Sequence, residues 1–165
     1  MIPGGNASVI KMPGELATAP KGLGHRSSSL VRSIVLLFQP RLLANRRNGN
    51  RHLFAPKEGG RLDKVSVPAM GRQIAVPFEP VRLADVDTFS LDLTVCQGTG
   101  SWQVLEHQSS LVLCYDGQIS LESEFGRLAL HNGELAVLPP GLPHCLSSSE
   151  RALILGLRRH PRPAV

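Results

Sequence analysis

Aromatic side chains make up only 4% of this 165-residue chain, with a single Trp and a single Tyr. A core with so few rings must rest on Leu, Val, Ile and Ala. The stacking platforms by which single-stranded nucleic acids are held are also missing, so nucleic acid is not an expected partner. No apolar run is longer than Ile34 to Phe38, far short of the roughly 20 residues that cross a bilayer. No membrane span and no secretory h-region near Met1 are therefore expected. The three cysteines (Cys96, Cys114, Cys145) form no C-x-x-C pair, which excludes a zinc knuckle or a dithiol redox motif. They read as reduced thiols and place the protein in the cytoplasm. Cys145 follows His144, but neighbours on a strand point to opposite faces, so that pair is no activated thiol.

Acid is scarce at one end. Residues 1–57 hold nine Lys/Arg and one carboxylate, Glu15, whereas residues 58–165 hold nine Lys/Arg and twelve carboxylates. The basic segment is rich in Gly, Pro, Ser and Ala without a sustained period, which reads as a mostly disordered extension over 1–65. Within it, Leu30, Val31, Ile34, Val35 and Phe38 recur at helical spacing and predict a short amphipathic helix near 29–38. Three roles are open to the extension. It can be an electrostatic arm, an Arg/Ser-rich peptide targeting an organelle, or sequence without a role ahead of an internal start at Met70.

From about Val76 short apolar stretches alternate with turns. "FSLDLTVC" (89–96) places Phe89, Leu91, Leu93 and Val95 on one face. "WQVLEH" (102–107) and "SLVLCYD" (110–116) follow, and Asp116-Gly117 turns the chain. In "QISLESE" Ile119 and Leu121 point inward. "GRLALH" runs into Asn132-Gly133, a strong hairpin signal, with His131 exposed beside it. "ELAVLPP", "HCLSS" and "RALILGLR" complete the series. Seven or eight strands with hardly a helical window predict an all-β antiparallel sandwich or barrel.

"GELAVLPPGLPHC" (133–145) contains Gly133, Pro139, Gly141 and His144 at the spacing G-x5-P-x-G-x2-H. The two prolines end the strand and stiffen the turn, holding His144 at the start of the next strand. This spacing resembles the second motif of the cupin superfamily, over about residues 75–158. The resemblance implies a small jelly-roll β-barrel, followed here by a tail at 159–165. It also implies a first motif, H-x-H with a later glutamate, that supplies three ligands for iron, manganese, nickel or zinc. Counted back from Gly117, the glutamate position falls on Ser110. The histidine positions then fall on Gln103 and Leu105, or on Val104 and Glu106 at the shorter spacing. Counted forward from Gly100 they fall on Glu106 and Gln108. No register supplies a histidine pair. His144 with Glu106 or His107 would give two protein ligands where catalytic zinc sites have three.

The leading expectation is a cupin-like barrel that binds a small organic ligand, sugar-like or a small acid, beside a degenerate metal site. Trp102, Glu106, His107, Tyr115 and His144 are the candidate lining residues. The alternative is a metal-dependent enzyme (dioxygenase, isomerase or decarboxylase) using His144 with Glu106 or His107 as ligand or base. A homodimer through sheet edges is what the resemblance implies for assembly.

Overall fold

A computed structural model describes residues 13–19, 28–38, 63–86 and 88–159. These fall into two units, one ending at Ser66 and the other starting at Val67. Most of the basic extension and the tail beyond 159 lie outside the described residues, and so do the readings made of them.

In the first unit, β1 (Glu15–Thr18) and β2 (Asp63–Ser66) form an antiparallel pair, with Glu15 opposite Ser66 and Ala17 opposite Lys64. The pair lies within the stretch expected to be mostly disordered. Lys64 Nζ meets Glu15, the one carboxylate of that basic segment, at 2.9 Å. The helix expected near 29–38 is not formed: residues 28–38 carry neither helix nor strand. Leu30 and Ile34, the centre of its apolar stripe, are fully exposed. A stripe with nothing to pack against leaves a helix of ten residues unsupported. Ser29 Oγ also donates to the Val31 carbonyl at 2.7 Å, an arrangement that competes with helical pairing.

The second unit opens with α1 (Val67–Gln73), then β3 (Val81–Val86), β4 (Phe89–Thr99), β5 (Ser110–Asp116), β6 (Gln118–Ser123), β7 (Gly126–His131), β8 (Leu135–Leu138) and β9 (His144–Arg159). All pairings are antiparallel. The strand order is β3-β4-β9-β5-β8, with β6 joining β9 and β7 joining β6. The order does not return to its start among the described strands, so the barrel stays open between the edges. "HCLSS" and "RALILGLR", expected as separate strands, are one sixteen-residue strand. Its first part pairs with β6 and the tip of β4, and its second part with β4 and β5, so β9 stitches both layers together. "WQVLEH" is not a strand. Apart from one bridge at Gln103, residues 101–109 are irregular and turn at Glu106-His107. Four polar residues among Gln103–Gln108 leave too little apolar surface to hold a strand in the sheet.

The barrel interior is filled by Cys96, Val112, Cys114, Ile119, Leu121, Leu130, Leu138, Ala152 and Ile154. Ile119 and Leu121 point inward as their alternation required. Burying a side chain such as Ile119 contributes roughly 1.5–3 kcal/mol. Strand β4 is buried on both faces. Leu91, Leu93 and Val95 occupy one, while Ser90, Asp92, Thr94 and Cys96 occupy the face shared with the interior. Burial pushes the Cys96 thiol up to about 12, helped by Cys114 nearby. Cys114 is raised mainly by burial as well.

Helix α1 packs on the other face. Its start carries Ser66 at the cap and Pro68 in the first turn, a helix signal present in the sequence. A Cβ on Gly71 would lie 2.7 Å from Leu153 Cδ1, so the backbone itself is seated on β9. At the far end Arg151 Nη2 donates to the Gly71 and Ile74 carbonyls at 2.6 and 3.0 Å, a cation on the oxygens a helix leaves unpaired. Arg151→Ala is expected to lower the local opening free energy of α1 by about 1–2 kcal/mol. Amide hydrogen exchange reads this as faster exchange in residues 70–74, with β5 and β6 unchanged; unchanged exchange in α1 would contradict it. No helix among the described residues is long and apolar enough to cross a membrane.

Candidate functional site

His144 is the first residue of β9, where "PPGLP" delivers the chain into the sheet. Two backbone bonds pin it to the irregular segment opposite, Gln103 N to His144 O at 2.8 Å and His144 N to Gln103 O at 2.9 Å. A third, Gly141 N to Leu105 O at 2.8 Å, ties the turn to the same segment. His144 is buried, with 5% of its surface exposed. Its Nδ1 lies 3.0 Å from the Leu142 carbonyl oxygen. A carbonyl only accepts, so Nδ1 carries the proton and the neutral ring keeps its lone pair on Nε2.

Two adjoining lobes open beside this ring, about 30 and about 110 Å³ in volume. Thr94, Gln103, His144, Leu146, Ile154 and Arg158 line both. The smaller lobe adds Asp92, Leu105 and Ser110, and the larger adds Phe78. Phe78 holds a positive φ of 64°, strained for a bulky residue. Its N–H bonds the Val95 carbonyl at 2.8 Å, and its ring lies where a Cβ on Gly100 would stand. The Asp92 carboxylate accepts from Arg82 Nε, and Arg82 also reaches Asp85. These bonds, first that to Asp92, raise the Arg82 guanidinium further above its ordinary range.

The other sequence candidates lie elsewhere. Glu106 and His107 project from a surface turn with side chains 72% and 93% exposed, Glu106 Oε2 lying 3.7 Å from His107 Nε2. Neither lines the cavity, and His144 is brought together with neither. Trp102 is 59% exposed. Tyr115 is half-buried at the bulge where β5 gains a residue against β9, and burial raises its phenol. The Cys145 thiol turns to the Gly100 carbonyl, while His144 faces the cavity. Gln103, Leu105 and Ser110, positions reached by one of the counts back from Gly117, share the smaller lobe with His144.

Comparison with solved structures finds a cupin-2 domain protein from Shewanella frigidimarina, 16% identical over 58% of this chain and 94% of its own, with a TM-score of 0.55. The fold is that of the cupin superfamily. A protein from Neisseria meningitidis aligns over 58% of this chain and 97% of its own at 16% identity and a TM-score of 0.53. One from Bacillus halodurans aligns over 61% and 82% at 11% identity and a TM-score of 0.50. No family model matches the sequence, and no curated protein does.

Gln103, Leu105, Ser110 and His144, the positions that the motif count assigns to metal ligands, meet in the smaller lobe. One ring nitrogen, an amide, a hydroxyl and an isobutyl group do not make the donor set that iron or zinc requires. Among the described residues no three His, Cys, Asp or Glu side chains stand close enough to share an ion. The residues do not fit the family's metal.

Proposed function

We propose that this cupin domain binds a small organic molecule in the cavity beside His144, without a metal of the family's usual kind. The observation that carries the reading is the cavity itself, with apolar walls (Leu105, Leu146, Ile154) and a few convergent polar groups (Gln103, His144, Arg158). Such linings fix the orientation of a ligand while the apolar walls bury it. One water occupies about 10–15 Å³ of such space, so the larger lobe suits a molecule of a few non-hydrogen atoms. That size favours a small acid over a hexose.

The test is thermal unfolding of the purified protein with and without EDTA, against a panel of small acids, amides, alcohols and hexoses. A ligand held only by the native state raises the midpoint by mass action, by an amount equivalent to about 2.7 kcal/mol at a hundredfold excess over Kd. The expected result is a rise of several degrees for at least one small molecule, unaffected by EDTA. No shift across the panel, or shifts from hexoses alone, would overturn the reading.

A further inference from the structure

Two features of the cavity wall point to one ligand class. The first is charge. Asp92 is matched by Arg82, whereas Arg158 has no ion pair or side-chain hydrogen bond among the described residues, although it lines both lobes. Arg158 is thus a guanidinium on the cavity wall with its donors unused among the described residues, suited to a monoanion.

The second is room made by the backbone. Gly156 lies two residues before Arg158 in β9 and lines the smaller lobe. A Cβ there would meet nothing within 4 Å. Glycine within a strand weakens it unless something must approach closely. Ile154, Gly156 and Arg158 share one face, so the strand offers an apolar wall, a gap and a cation in sequence.

Resting on the binding reading above, we infer that the ligand is a small monocarboxylate. Its two oxygens take the forked donors of Arg158, with the Gln103 amide beside them, and its short carbon chain lies against Ile154 and Leu146. His144 Nε2 is left to accept from a hydroxyl of the ligand, or to donate when the ring is protonated.

The experiment is calorimetric or NMR titration of the full chain with acetate, propionate and lactate, their neutral amides, and inorganic phosphate. The acid–amide comparison needs no variant. The acids are expected to bind at least ten times more tightly than the amides. Arg158→Gln should weaken acid binding about ten- to a hundredfold, as loss of a charge-assisted bond does, and weaken the amides by a smaller factor. Arg159→Gln, one residue on and exposed, should change neither. Gly156→Val should fill the gap and abolish binding with the melting temperature maintained. Acids and amides binding equally would overturn the carboxylate assignment while the small-ligand reading stands. Phosphate binding as tightly as propionate would overturn it too, by showing that the carbon chain is not recognised. No binding of any compound by folded protein would overturn both readings.

Discussion

Between about pH 9 and pH 12 the folded protein is expected to lose up to about 4 kcal/mol of stability through one thiol. Cys96 is fully buried in the barrel interior, and its pKa rises there from an ordinary value near 9 to about 12. Below pH 9 the thiol is protonated in both states and contributes no pH dependence. Above pH 9 the unfolded chain releases the proton while the folded chain retains it. The unfolded state then binds fewer protons, and unfolding becomes easier with each unit until the folded thiol also titrates. Cys114, raised in the same direction, adds to the slope. Urea unfolding from about pH 8 to 12 should show a steep decline in the native protein and a shallower one in Cys96→Ala. The slopes carry the test, because the packing lost in the variant lowers its whole curve. Parallel curves would refute it.

Gly117→Ala is expected to cost about 3 kcal/mol. Gly117 joins β5 to β6 with a φ of +85°, and its Cβ would stand 3.0 Å from Ala152 Cβ and 3.2 Å from Ala152 Cα. The left-handed conformation supplies part of that cost and the backbone of β9 the rest, since a main-chain atom cannot swing aside. Gly133 has the same φ but open space where its Cβ would be. Gly133→Ala should therefore cost about 1–2 kcal/mol, the conformational part alone. Equal midpoints for the two variants in chemical denaturation would show that the approach of Ala152 carries no energy.

The parts of this fold legible in the sequence are those where one physical rule acts alone. The spacing from Gly133 to His144 locates the braced turn and the buried ring, because prolines and a positive-φ glycine admit few arrangements. Alternation finds Ile119 and Leu121, since β6 has one wet face and one dry one. Strand β4 misleads for the opposite reason. Both of its faces are buried, so the apolar set Leu91, Leu93 and Val95 conceals that Asp92 and Thr94 are the ones beside the cavity. Arg158 carries no mark of its position, because an arginine near the end of a chain reads as a surface charge. Gln103 is one of several positions that the motif count reaches, and the two backbone bonds to His144 bring it beside the cavity. Residues 29–38 have a helical stripe, but its residues Leu30, Val31, Ile34 and Val35 are exposed among the described residues. Ser66 and Pro68 do announce α1, but a seven-residue helix ahead of a run of strands is easily passed over.

The frame in which β4 meets β9 has a meaning beyond stability. Asp92 stands opposite Gly156 and Thr94 opposite Ile154, and the intervening leucines face away. A shift of one residue along this ladder exchanges the two faces of the strand. It would pour Leu91, Leu93 and Val95 into the hollow and carry its carboxylate and hydroxyls to the far side. A chain so shifted could still form a β-layer, yet it would hold an oily plug where an open cavity had been. Insertions and deletions in β4 are thus changes of chemistry before they are changes of shape, and the pairing register itself decides which side chains line the cavity.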